Sequence, residues 1–156
     1  MTAKPKVVII GTGGTIAGRA ALATDLAYDA AQLSVGELLE AIPGLKDIGD
    51  ISATNLFSLN SKDMGPGEWS QLARCIESCA EDQDTTGVVV THGTDTLEEA
   101  ALFLELTLRT QKPVVVTGSM RAATALSADG PANLYQAVQG SASNHAIGRG
   151  VLSVLN

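Results

Sequence analysis

Aromatic residues are scarce in this chain: two tyrosines, two phenylalanines and one tryptophan, 3% of 156 residues. A core must therefore be assembled from Ala, Val, Leu and Ile, a palette suited to parallel strands covered by helices. Cysteine is scarcer still. Cys75 and Cys79 are too few for a disulfide framework, and no histidine lies nearby to complete a metal cluster. Both read as small, buried or half-buried thiols. Ten basic residues face seventeen acidic ones, a formal charge of −7. A phosphate backbone needs a basic face, so no nucleic-acid partner is expected. No apolar run approaches the roughly 18 residues of a membrane-spanning helix, and no membrane partner is expected either. The opening M-T-A-K-P-K runs at once into an apolar strand, leaving no room for the apolar core of a signal peptide. These features together lead us to expect a cytoplasmic location.

What the chain does contain is 45% hydrophobic residues over a length that supports one domain with a real core. The organising stretch is V-V-I-I-G-T-G-G-T-I-A-G at 7–18. Four β-branched residues in a row read as a strand buried on both faces. Glycines then break it, with Thr12 and Thr15 set between them. Glycine lets a backbone turn sharply and lets a ligand approach closely. Thr15 is a candidate nucleophile on such a turn; the plain alternative is a glycine turn that only links two elements. Phosphate-binding patterns fail here. G-x-G-x-x-G started at Gly11 meets Ile16 where glycine is required. The P-loop pattern started at Gly13 reaches Gly18, then finds Arg19 and Ala20 in place of Lys and Ser/Thr.

Downstream, Arg19 to Gln32 lacks any clean period and reads as a loop with a short hairpin, long enough to be functional. We expect it to be mobile without ligand. Tyr28 either packs this loop onto the body or serves the site. Ser34 with Glu37 forms a capping box that opens a helix, which Pro43-Gly44 stops. Lys46 to Leu59 reads as one or two strands, Ser52–Leu59 being the firmer. A helix follows with Trp69, Leu72, Ala73, Ile76 and Ala80 on one face, Trp69 as core anchor. Val88–Thr91 is a buried strand, then a helix runs to about Arg109 with a second capping box at Thr96 and Glu99. Pro113–Thr117 is a strand, Asp129-Gly130-Pro131 opens a helix, and Val151–Leu155 is a final strand.

Strand and helix in alternation dictate a mostly parallel α/β sheet with helices on both faces. The turns at 11–15, 60–63, 92–95 and 118–121 should then share the carboxyl edge of the sheet, where open α/β folds place ligands. A free threonine hydroxyl needs a base to become nucleophilic. His92 is either that base or a structural histidine, and His145 is assigned nothing. Asp95 could hold a substrate ammonium or only cap the helix beside it. Donors in that helix's first turn would favour a carboxylate or a developing oxyanion.

G-T-G-G-T-I-A-G at 11–18 and T-H-G-T-D-T-L-E-E at 91–99 resemble the signature motifs of bacterial-type L-asparaginases and glutaminase-asparaginases. The likeness continues through S-K-D-M at 61–64, K-P-V-V-V-T-G-S-M-R at 112–121 and S-A-D-G-P-A-N-L-Y at 127–135. The resemblance implies the flavodoxin- or Rossmann-like N-terminal α/β domain of that family over residues 1–156. It implies hydrolysis of L-asparagine to L-aspartate and ammonia, with L-glutamine a lesser substrate and no cofactor or metal. Carried over by position, Thr15 is the nucleophile and Tyr28 its hydrogen-bonded activator. Ser61 takes the substrate α-carboxylate with Lys62 beside it, and Asp95 takes the α-ammonium. Thr94 is the second catalytic threonine and contributes a backbone N–H to the oxyanion hole, while the Ser119 carbonyl contacts the leaving amide. A homo-oligomer, dimer or tetramer, is implied.

This sequence departs from the pattern in three places. Lys62 stands where many relatives carry Gln or Glu, which bears on the choice between asparagine and glutamine. The cysteine pair that bridges in some secreted relatives has no equivalent. The family's downstream lysine, its smaller C-terminal domain and the acidic residue lent by a neighbouring subunit are expected beyond Asn156, and no lysine up to Lys112 replaces the first of these. The alternatives are a catalytically weak or silent domain that binds aspartate or asparagine, and a related subunit that frees ammonia for tRNA-linked amidation.

Overall fold

The run Lys6–Gly13 forms strand β1, extended because β-branched side chains crowd a helix but fit a pleated sheet. The computed structural model describes residues 4–25 and 27–156. Residues 1–3, read as leading into this strand, and Leu26 of the 19–32 loop lie outside the described residues. Strands β2 (Asp50–Leu59), β3 (Thr85–Thr91), β4 (Val114–Thr117) and β5 (Val151–Val154) join β1 in the order β2-β1-β3-β4-β5. All four pairings are parallel, as expected.

Helices α1 (Val35–Glu40), α2 (Leu45–Ile48), α3 (Pro66–Glu81), α4 (Leu97–Thr107) and α5 (Gly130–Ser141) cover both faces. Side chains alternate across a strand, and the core divides accordingly. Val7, Ile9, Val89 and Val115 pack against Leu38 of α1, Leu45 of α2 and Leu134, Ala137 and Val138 of α5. Ile10, Val88, Val90 and Val116 pack against Leu72 and Ile76 of α3 and Leu97 and Leu104 of α4. Val88, Val89 and Val90 have no exposed surface. Each burial of that kind stabilises the fold by about 1.5–3 kcal/mol.

The capping box of α1 forms: Glu37 N donates to Ser34 Oγ at 3.3 Å, and Ser34 N donates to the Glu37 carboxylate at 2.8 Å. The box expected at Thr96 and Glu99 does not form. Thr96 precedes α4, but its hydroxyl donates to the Ser61 carbonyl at 2.9 Å. Lys46 belongs to α2 rather than to a strand, because Leu45 is 2% exposed and anchors that helical turn; β2 starts at Asp50. Helix α4 stops at Thr107, short of Arg109. Trp69 is half-buried at the rim of its layer, its ring 5.8 Å from that of Phe103, while Leu72 and Ile76 form the interior.

In this strand order the chain turns back between β1 and β3, so their carboxyl ends flank the switch point at which such sheets bind ligands. The turns bearing Thr15 and Thr94 follow these two strands.

Candidate active site

The turn after β1 is possible because glycines occupy its left-handed positions, with φ of 103° at Gly13 and 76° at Gly14. Gly14 N donates to the Leu59 carbonyl at 2.9 Å, tying the turn to the end of β2. Thr15 then opens a short 3-10 turn, Thr15–Ala17, and is 9% exposed. Its Oγ1 lies 2.8 Å from the Tyr28 hydroxyl. Tyr28 comes within reach because the loop closes on itself as the expected short hairpin: Arg19 N donates to the Asp29 carbonyl at 2.8 Å and Asp29 N to that of Arg19 at 3.0 Å. The loop also rests on the segment after β4. Ala123 N donates to the Gly18 carbonyl at 3.0 Å, and Ala20 N to Thr124 Oγ1 at 2.9 Å. Tyr28 is thus held with its ring against Gly18 and its hydroxyl on Thr15.

The turn after β3 is packed backbone against backbone. A Cβ on Gly14 would lie 2.4 Å from Gly93 Cα, and one on Gly93 would lie 2.4 Å from Ser61 Oγ. The glycines preceding Thr15 and Thr94 therefore touch, and each threonine Cα is about 3.8 Å along the chain from that contact. Thr94 and Asp95 begin the 3-10 turn Thr94–Thr96, Thr94 half-buried and Asp95 exposed. Ser61 is 1% exposed, and its Oγ accepts from Asp95 N at 3.2 Å. That leaves the Ser61 proton available for a second hydrogen bond. Lys62 is exposed on the same turn, and its N–H donates to Asn60 Oδ1 at 3.3 Å.

The third turn carries Ser119, which is buried; its hydroxyl donates to the Arg121 carbonyl at 2.7 Å, inside its own turn. The frame around it comes from α5. The Asp129 carboxylate accepts from Met120 N at 2.9 Å and Arg121 N at 3.0 Å, and Asn133 Nδ2 donates to the Gly118 carbonyl at 3.0 Å. Sequence reading missed Thr96, Asp129 and Asn133 as shapers of the site. A usable signal existed: Asp129 and Asn133 lie four apart at a helix start, the spacing of one helix face.

His92 is not a base for either threonine. It has no exposed surface, and its Nδ1 lies 2.7 Å from the Gly93 carbonyl. A carbonyl only accepts, so Nδ1 carries the proton, and Nε2, without a partner among the described residues, is a bare lone pair inside the protein. Burial pushes the His92 pKa below 6.5 despite the raising effect of the Gly93 carbonyl. The unfolded chain then takes up a proton before the folded chain does. The His92 contribution to stability is complete above the ordinary value of 6.5 and is lost as pH falls below it toward the folded value. Urea denaturation at pH 7.5 and pH 5.5 (~2 units apart, spanning the histidine range) should show wild-type stability falling on acidification by more than that of His92→Asn. Equal losses would remove His92 as the cause.

Among the described residues, no group of three or more His, Cys, Asp or Glu side chains is placed to hold a metal. None of the described helices is long and apolar enough to cross a membrane. Cys75 and Cys79 are free and half-buried on α3, and burial raises the pKa of Cys79.

Comparison with known proteins fits this geometry. Residues 6–156 match the family model for the asparaginase N-terminal domain. The chain is 47% identical to a probable periplasmic L-asparaginase of Haemophilus influenzae, over 97% of this chain and 43% of that protein. It is 46% identical to a glutaminase-asparaginase of Acinetobacter glutaminasificans, over 98% and 46% of the two chains. Against L-asparaginase 2 of Escherichia coli the identity is 45%, over 99% and 44%. In three dimensions it superposes on a probable cytoplasmic L-asparaginase from Campylobacter jejuni with a TM-score of 0.93 and 42% identity, covering 98% of this chain and 47% of that one. The chain thus spans a little under half the length of these relatives. On these matches in sequence and structure, it belongs to the asparaginase family and corresponds to that family's N-terminal domain.

Proposed function

We propose that this protein hydrolyses the side-chain amide of L-asparagine to L-aspartate and ammonia, with L-glutamine a lesser substrate and no cofactor. The observation that carries this reading is the 2.8 Å contact between Thr15 Oγ1 and the Tyr28 hydroxyl, at the switch point of the sheet. In this proposal Thr15 Oγ attacks the carboxamide carbon, its proton passing toward the Tyr28 oxygen. The C–N bond breaks, ammonia leaves with a proton, and water then cleaves the acyl ester to release aspartate and restore the threonine. Thr94 acts as second catalytic threonine, its N–H supporting the oxyanion. Ser61 donates to the substrate α-carboxylate with Lys62 nearby, Asp95 binds the α-ammonium, and the Ser119 carbonyl faces the leaving amide. The spare Ser61 proton and the exposed Asp95 carboxylate, joined through the Asp95 N–H, suit an amino acid's two charged ends.

The same proposal includes a homo-oligomer and a cytoplasmic location, the latter supported by the free thiols on α3. A coupled assay of ammonia release from L-asparagine and L-glutamine tests the activity. Steady release, faster with asparagine, is expected. Calorimetric binding of aspartate with no ammonia from a monodisperse sample would replace hydrolysis by an amino-acid-binding role.

A further inference from the structure

The glycine that lets the site close also leaves one of its peptide groups with little steric restraint of its own. A Cβ on Gly93 would displace Ser61 Oγ, 2.4 Å away, from its bond with Asp95 N, so only glycine leaves Ser61 in place. Without a Cβ, Gly93 can take ψ values closed to other residues, so sterics on its side constrain the peptide between itself and Thr94 less. That peptide contains the Gly93 carbonyl on one side and the Thr94 N–H on the other. A peptide unit is planar and trans, so the two groups point in opposite directions and fixing one fixes the other. The His92 ring grips the carbonyl: Nδ1 lies 2.7 Å from Gly93 O. The ring is enclosed by the protein, with no exposed surface, and its backbone N–H is tied to the Thr117 carbonyl at 2.8 Å.

We propose that His92 is a positioning residue: by holding the Gly93 carbonyl from inside the protein it aims the Thr94 N–H outward at the position of the developing oxyanion. The inference rests on the Thr94 N–H acting in the reaction as proposed above. The histidine's unpartnered Nε2 fits this role. A buried lone pair without a donor is tolerated at a cost, and here the Nδ1 proton is the part of the ring in use. Thr94 also heads its 3-10 turn, where a backbone N–H has no acceptor within the turn.

Two substitutions separate this role from packing. His92→Leu fills similar space without a donor and removes the orphaned nitrogen, so the variant is expected to fold. His92→Asn restores an N–H at the position of Nδ1. In the natural gene product, His92→Leu should lower kcat for asparagine about 10- to 100-fold with KM unchanged, because a donor displaced by about an ångström fails only in the transition state. His92→Asn should recover most of the loss. Crystal structures of both variants should show the Gly93–Thr94 peptide rotated in His92→Leu and native in His92→Asn. Wild-type kcat in His92→Leu, or an unrotated peptide there, would overturn the proposal. If the wild-type protein releases no ammonia, the hydrolytic reading fails by itself, and the peptide orientation in the two variants still decides the role of His92.

Discussion

Thr15→Ala is expected to reduce ammonia release from L-asparagine roughly 10³-fold or more, the scale of losing a nucleophile, while leaving KM and the unfolding midpoint near wild type. Thr15 is 9% exposed, and the contact recorded for its hydroxyl is with Tyr28 rather than with the core, so removing that oxygen leaves packing intact. The lost interaction is made with the reacting carbon, which places the effect in kcat. Thr15→Ser keeps the oxygen and should keep most of the rate. Tyr28→Phe keeps the ring against Gly18 but not the hydroxyl, so it should lower kcat by about 10²-fold, as for other acid–base groups. Thr94→Ala should be as severe as Thr15→Ala. Ammonia release at the wild-type rate from Thr15→Ala and Thr94→Ala alike would end the assignment of both threonines, and with it the reading of the 2.8 Å contact as chemistry.

Much of this geometry is visible in the primary structure because it rests on short-range rules. Val7–Ile10 followed by glycines announces a buried strand ending in a turn, and the strand–helix alternation brings the turns to one edge without any knowledge of their contacts. What escaped were choices made by partners distant in the chain. The hydroxyl of Thr96 suits a capping box three residues before Glu99, but the Ser61 carbonyl, 35 residues away in sequence, takes it. Pro43-Gly44 stops one helix as expected, yet Leu45 starts another because the core has a place for it. His92 illustrates the limit most sharply. Its place at a strand end is legible, but whether it faces the pocket as a base or the interior as a brace depends on a single peptide orientation that no spacing rule encodes.

The other large effect is on folding, and it falls on the residue before Thr15. Gly14 has φ of 76°, and a Cβ there would meet Gly93 Cα at 2.4 Å and Gly93 N at 2.5 Å. Both obstacles are backbone, so no rotamer change relieves them. Gly14→Ala is expected to cost about 3 kcal/mol or more, combining left-handed strain with an overpacked contact. Gly93→Ala makes a different test. Its φ is −75°, which any residue adopts, and its clash is with Ser61, whose Oγ at 2.4 Å can rotate away but whose Cβ at 2.7 Å yields only if that turn shifts. That variant should fold but bind aspartate poorly, since Ser61 must leave its bond from Asp95 N. Gly67→Ala supplies the opposite sign: in α3, where an added Cβ would meet no described atom outside its own helix turn within 4 Å, it should stabilise by about 0.5–1 kcal/mol. Urea unfolding of the three variants, with aspartate titration of the two that stay folded, reads all of this. Wild-type stability in Gly14→Ala would mean that the turns after β1 and β3 are not pressed together, and the shared pocket that the two threonines require would have no structural basis.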